Sequence, residues 1–215
     1  MSDADRDRWN SRYLAGRELP LPPADSGLIS LVESQPPGRA LELACGLGQN
    51  AIALASRGWQ VTAVDLSDVG LERARCAADQ TGVEVDWIAA DLDAWQPPAG
   101  VQYDFIVVLR FLDRVHLPGL IVRSLQPGGL LLYEALLARP ESPVQEPRSD
   151  AVDPAVSIRL PVSTSPPKSA NPAFVVQPGE LPTLFGDALE LLSFQESHGA
   201  THSLARITAR KRLDS

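Results

Sequence analysis

Two hydrophobic periods alternate along this chain, and the switches between them outline its elements. Residues 4–15 set Arg6, Trp9 and Tyr13 on one side at helical spacing, which predicts an amphipathic helix. Three prolines between Leu19 and Asp25 end it, and a second helix over 27–33 stops before Pro36-Pro37. From Ala40 the alternation becomes regular. An apolar strand over 40–44 leads into a glycine turn, and a helix over 50–57 closes at Gly58, where a terminal glycine belongs. The strand 61–64 ends at Asp65, and Ser67 caps a helix over 68–79. A third strand, 83–89, precedes Asp91. Residues 105–109 are apolar without interruption, as expected of a strand covered on both faces. A helix over 117–125, a turn at Pro127-Gly128-Gly129 and a strand over 130–133 complete the series. Strands alternating with helices predict right-handed crossovers and a doubly wound parallel α/β sheet with helices on both faces.

The pattern then fails. Residues 140–182 hold ten of the nineteen prolines and show no period, so they read as a flap without a core of its own. A short helix over 181–185 follows. Strands over 189–194 and 203–210, joined through 195–201, predict a terminal antiparallel hairpin and bring the sheet to seven strands. The expected organisation is one domain: an N-terminal helical lid (1–35), a core (38–138), the flap (139–180) and a terminal helix with hairpin (181–211).

Composition narrows the function. The net charge of −8 over 215 residues leaves no basic footprint for nucleic acid, and the N-terminal arginines are interleaved with Asp3, Asp5 and Asp7. Cys45 and Cys76 lack partners at metal-ligand spacing, so no metal is expected, and two unpaired thiols suit the cytoplasm. The N-terminus lacks the apolar stretch of a signal peptide, and the longest apolar run, 129–138, is too short for a membrane and is broken by Glu134.

In a parallel sheet, ligands lie beyond the carboxyl ends of the strands. Three acids fall at such ends: Glu42, Asp65 and Asp91. Gly46 and Gly48 bring bare backbone to a ligand, and the helix after them aims amides at an anionic group. Asp65, seventeen residues beyond Gly48, suits a pair of ribose hydroxyls. Gly46-Leu47-Gly48-Gln49-Asn50-Ala51 also satisfies the dinucleotide pattern, which keeps a nicotinamide-dependent oxidoreductase open as an alternative. Glu42, placed for the ammonium of a methionine moiety, Asp91, placed for the adenine amine, and the terminal hairpin favour S-adenosylmethionine.

The stretch L-E-L-A-C-G-L-G-Q-N-A resembles the first motif of class I S-adenosylmethionine-dependent methyltransferases, with a Rossmann-like fold. V-T-A-V-D-L-S, A-A-D-L and L-Q-P-G-G-L-L-L-Y-E resemble their later motifs. R-W-N-S-R-Y, R-F-L-D-R and N-P-A-F-V-V-Q-P-G-E-L are similar to segments of the tellurite-resistance and thiopurine methyltransferase group. The resemblance implies that Glu42, Gly46, Gly48, Asp65, Leu66, Asp91 and Leu92 contact the cofactor, with Ala44, Cys45, Asn50 and Leu109 completing its surroundings. It also implies that Trp9, Arg12 and Tyr13 close over it, Arg12 near its carboxylate. Ala44 departs from the family by replacing the first glycine, and its methyl is expected to tighten the pocket. Asp113 stands where relatives often have histidine.

Arg110, Asp113 and Arg114 follow the fourth strand, where an acceptor would lie, and Arg110 or Arg114 is the candidate for attracting an anionic one. The expected activity is methyl transfer to a small molecule such as an oxyanion like tellurite or a thiol, by a monomer or homodimer. A non-catalytic protein that keeps the fold is the second alternative. His116 reads as a structural or surface histidine, His198 and His202 as solvated, and Cys45 as a small buried thiol.

Overall fold

A computed structural model describes residues 3–138, 174–199 and 202–213. The amphipathic helix forms α1 (Asp3–Ala15), with Asp3 and Asp5 in its first turn, where negative charge suits the helix dipole. Asp25 caps α2 (Ser26–Val32) by accepting from the Leu28 amide. The core then alternates as the hydrophobic runs dictate: β1 (Arg39–Leu43), α3 (Gln49–Ala55), β2 (Gln60–Asp65), α4 (Asp68–Thr81), β3 (Asp86–Ala89), β4 (Tyr103–Leu109), α5 (Leu117–Ser124) and β5 (Leu125–Leu137). Ser67 caps α4 as its position predicts, accepting from the Gly70 amide at 3.0 Å. Beyond the segment 139–173, the centre of the expected flap, which lies outside the described residues, come β6 (Val175–Val176), α6 (Glu180–Thr183), β7 (Leu189–His198) and β8 (Ser203–Lys211).

The sheet runs β3-β2-β1-β4-β5-β8-β7, and β6 adds an eighth, two-residue strand against β5. β1 pairs in parallel with both β2 and β4, so strand order reverses beside it and opens the crevice in which doubly wound sheets bind ligands. β8 is antiparallel to β5 and to β7. It is the last strand in the chain yet lies inside the sheet. Leu41, Ile106, Leu131, Tyr133 and Ile207 pack with α5 and α6 on one face. Ala40, Val107, Leu132, Leu28, Ala51 and Leu71 pack on the other, beneath α2, α3 and α4.

Several boundaries move for physical reasons. The Pro127-Gly128-Gly129 turn becomes part of β5, because Tyr103 pairs with Leu125 and Phe105 with Leu130, and the extra residues loop out between them. The hairpin link shrinks from 195–201 to 199–202, closed by the Gly199 amide on the His202 carbonyl at 2.9 Å. β6 pairs with β5 at Leu136 and Leu137, beyond the point where β4 ends opposite Glu134. A two-residue strand carries no periodicity, so the sequence gives no sign of it.

Candidate cofactor and acceptor site

The site is built on the turn between β1 and α3. Ala44, Gly46 and Gly48 all have left-handed backbone, with φ of 55°, 58° and 71°. Asp65 fastens this turn from the end of β2: Oδ2 accepts the Gly46 amide at 2.7 Å and Oδ1 the Ser67 amide at 2.8 Å. Burial raises the Asp65 carboxyl above its usual range, although three backbone amides pull it back. A Cβ at Gly46 would also stand 2.7 Å from the Tyr13 hydroxyl, so a side chain there would push the Tyr13 ring aside.

Ala44 gains a reason beyond pocket size. Left-handed backbone crowds any Cβ, so the methyl strains the turn more than it fills the pocket. Ala44→Gly is expected to stabilise the protein by about 0.5–1 kcal/mol, the strain relieved less the added freedom of the unfolded chain. Urea denaturation measures it, and a midpoint that falls would refute the strain.

Glu42 is 2% exposed. Asn50 Nδ2 donates to its Oε1 at 3.0 Å, while Oε2 has no hydrogen bond. Burial, opposed by the Asn50 side chain and the Ala51 backbone amide and aided by Asp65, lifts its carboxyl to about 7. A raised carboxyl binds its proton more tightly in the folded chain than in the unfolded one. It therefore favours the fold fully below the ordinary carboxylate range, and that contribution is lost as pH rises through about 7. Between pH 5 and 8 the ligand-free protein should lose stability on the order of 2–3 kcal/mol from this group alone. Glu42→Gln should flatten that slope in thermal melts, and equal slopes would refute the assignment.

The N-terminal helix lies across the turn. Ser67 Oγ donates to Asn10 Oδ1 at 2.5 Å, and Arg73 Nη1 donates to the Tyr13 carbonyl at 3.2 Å. Trp9 and Tyr13 stack with centroids 5.9 Å apart, and the exposed Arg12 guanidinium lies 5.2 Å from the Trp9 ring. Burial, with Asp65 and Cys45 beside it, pushes the Tyr13 phenol well above its ordinary range. Cys45 is a free, buried thiol raised by the same burial, which makes it inert. Leu66 and Leu92 are buried at the ends of β2 and β3, and Asp91 Oδ1 accepts the Asp93 amide at 2.9 Å.

The three residues expected at the acceptor separate. Asp113 Oδ1 accepts the Val115 and His116 amides at 2.7 and 2.9 Å, so it shapes the approach to α5. Arg114 is held by Glu180, by two hydrogen bonds, and by the Val175 carbonyl at 2.8 Å, which ties β6 and α6 to this loop. Arg110 keeps a side chain 70% exposed and left-handed backbone, φ 62°.

A network absent from the sequence reading runs behind these residues. Asp25 donates its amide to Asn50 Oδ1 at 2.9 Å and binds Arg206 through both carboxylate oxygens, at 2.9 and 2.7 Å. Arg206 also donates to Glu134 Oε2, from Nε at 2.9 Å and from Nη2 at 2.5 Å. Hydrogen bonds to Arg206 hold the Asp25 carboxyl below its usual range despite its burial. Glu134, the one charge in the apolar run 129–138, was the available signal, because a charge in a buried strand needs a partner. Among the described residues Asp93, Asp113 and His116 bring ligand atoms within 4.8 Å of one another, a grouping the cysteine and histidine spacing gave no hint of.

Residues 40–129 match the methyltransferase domain family. The chain is 31% identical over 108 residues to the ubiquinone biosynthesis O-methyltransferase of Bordetella avium (strain 197N), a match covering 48% of this chain and 45% of the relative. It is 36% identical over 104 residues to the protein of the same name from Idiomarina loihiensis, covering 46% and 42%. The chain thus spans less than half the length of these relatives. Its fold is similar to that of TehB from Haemophilus influenzae, with a TM-score of 0.67 at 19% identity over 92% of this chain and 65% of that one. It is also similar to magnesium protoporphyrin IX methyltransferase (ChlM) from Synechocystis PCC 6803 with bound SAH, at 0.66 and 13% identity over 97% and 98%. The domain match takes in the glycine turn near its start, and the fold agrees over nearly the whole chain, so residues 40–129 resemble a methyltransferase domain set in a fold shared with TehB and ChlM.

Proposed function

We propose that the chain transfers the methyl group of S-adenosylmethionine to a small-molecule acceptor that carries an anionic group. The observation that carries the cofactor half is the pair of buried carboxylates flanking the turn. Glu42 keeps an oxygen without a hydrogen bond, which suits an ammonium donor, and Gly46 and Gly48 let the turn pack closely against Tyr13, Trp87 and Ala74, where a Cβ would collide. In this reading Asp65 takes ribose hydroxyls with the lone pairs its two amides leave, Asp91 takes the adenine amine, and Trp9, Arg12 and Tyr13 close the site. The cofactor supplies the methyl carbon, which bonds to an acceptor lone pair as its bond to sulfur breaks and that electron pair stays on sulfur. The chain's own residues align the partners and exclude water, worth roughly 7–11 kcal/mol. An acceptor that arrives deprotonated, such as an oxyanion or thiolate, needs no base.

Arg110 carries the anionic half, because Arg114 is held by Glu180 and Val175. Tellurite, thiolates and small carboxylates fit it. Two free cysteines, and no helix among the described residues long and apolar enough to cross a membrane, accord with a cytoplasmic setting. Calorimetry with S-adenosylhomocysteine, NAD and NADP tests the cofactor. Binding of the nicotinamides alone would restore the oxidoreductase alternative. Release of S-adenosylhomocysteine across a panel of anionic and neutral acceptors tests the rest, and turnover confined to neutral compounds would refute the anionic reading.

A further inference from the structure

Two buried carboxylates on one sheet face each keep an oxygen without a hydrogen bond, Glu42 Oε2 and Glu134 Oε1. The cofactor reading uses the first and leaves the second without a task. Glu134 is 2% exposed and sits opposite Leu109 at the end of β4. Tyr133 before it belongs to the core beneath α5, and Leu132 to the core beneath α3. Strand alternation therefore puts Glu134 on the face that carries Glu42. The two acids flank β4, one strand to each side.

Arg206 takes Glu134 Oε2. Arg110 Nε stands 3.7 Å from Oε1, an ion pair too long to be a hydrogen bond. Leaving such an oxygen undonated inside a protein is costly, and native structures rarely do so. Arg110 is itself held in a conformation unfavourable for a side chain, φ 62°, with its amide donating to the Glu134 carbonyl at 2.8 Å. Backbone strain of this kind collects at ligand-binding positions. The cluster is also balanced, since Asp25 and Glu134 face Arg206 and Arg110. A ligand that brings an N–H or O–H donor to Oε1 and an anionic oxygen to the exposed Arg110 side chain answers both groups at once.

We propose that Glu134 Oε1 and Arg110 form the specificity subsite for the acceptor, taking an N–H or O–H donor and an anionic oxygen of the same small molecule. The substrate class is then a small amino or hydroxy acid. This rests on the methyltransferase reading and narrows its acceptor.

The test is calorimetry on the full chain, with and without saturating S-adenosylhomocysteine. The probes are alanine, leucine and phenylalanine, the matching 2-hydroxy acids, the deaminated acids and the decarboxylated amines. At least one body should bind in its two-group form and lose about ten- to a hundredfold when either group is removed, the value of one hydrogen bond to a charged group. The amine and hydroxyl series then tell which donor is preferred. Glu134→Gln, which keeps an oxygen for Arg206, should bring the two-group compounds down to the deaminated acids. Arg110→Ala, a change at an exposed side chain that does not endanger folding, should bring them down to the amines. Both variants should bind S-adenosylhomocysteine within about twofold of the parent. Unchanged selectivity in both variants, or no binding by any two-group compound, would overturn the subsite. Loss of S-adenosylhomocysteine binding by the parent with the panel still bound would overturn the cofactor reading and leave the subsite standing.

Discussion

Replacing Gly48 with valine should abolish S-adenosylhomocysteine binding and lower stability by about 3–5 kcal/mol, the sum of left-handed strain and overpacking. Gly48 has φ 71°, so any side chain there is strained before it touches a neighbour. It also has no room. A Cβ would lie 2.4 Å from Trp87 Cη2 and 2.8 Å from Ala74 Cβ. Trp87 belongs to β3 and Ala74 to α4, so relief requires moving two elements and not one side chain. The turn would shift away from Glu42 and Asp65 together. Gly48→Ala should show a smaller loss in the same direction by urea denaturation. A valine variant with parental midpoint and parental affinity would show that the turn tolerates a side chain, which the close contacts forbid.

Asp65→Ala ranks second. Two backbone amides, of Gly46 and Ser67, would lose their acceptor at once. Each hydrogen bond to a charged group is worth about 1.5–3 kcal/mol, and relief of the buried charge returns part of it, so a net loss of about 2–4 kcal/mol is expected. The larger effect is on affinity. Without its anchor the Gly46 backbone is free to leave its present position, and the proposed acceptor for the ribose hydroxyls is gone. Affinity for S-adenosylhomocysteine should fall at least a hundredfold, about 2.7 kcal/mol or more. Calorimetry at constant pH reads this directly, and an affinity within threefold of the parent would remove Asp65 from the cofactor site.

What the sequence made legible follows from how far each interaction reaches along the chain. The β1 turn, the Ser67 cap and the end of β2 at Asp65 are set by neighbours within a few residues, so pattern alone locates them. Glycine spacing pointed to close approach, yet it missed that Ala44 shares the left-handed backbone of Gly46 and Gly48, since an alanine gives no sign of its own φ. Arg114 looked as available as Arg110 because Glu180, its partner, is 66 residues away. The Asp25–Arg206 pair spans 181 residues, and nothing in either neighbourhood announces the other. Interactions that distant become visible only once the sheet fixes which strand ends adjoin.

The internal position of β8 has a consequence for the order in which this molecule can be made. During synthesis β1 to β5 leave the ribosome first and can assemble, but β5 then presents an open, mostly apolar edge until residues 203–211 appear. Such an edge is a template for pairing with another chain. Lys211 Nζ, buried and donating to the Leu125 carbonyl at 2.9 Å, and Arg206, joining β5 to α2, form only at that last stage. A nascent or shortened chain that stops before Ser203 thus carries a nearly finished glycine-turn half and an unsealed sheet, and its fate should be aggregation.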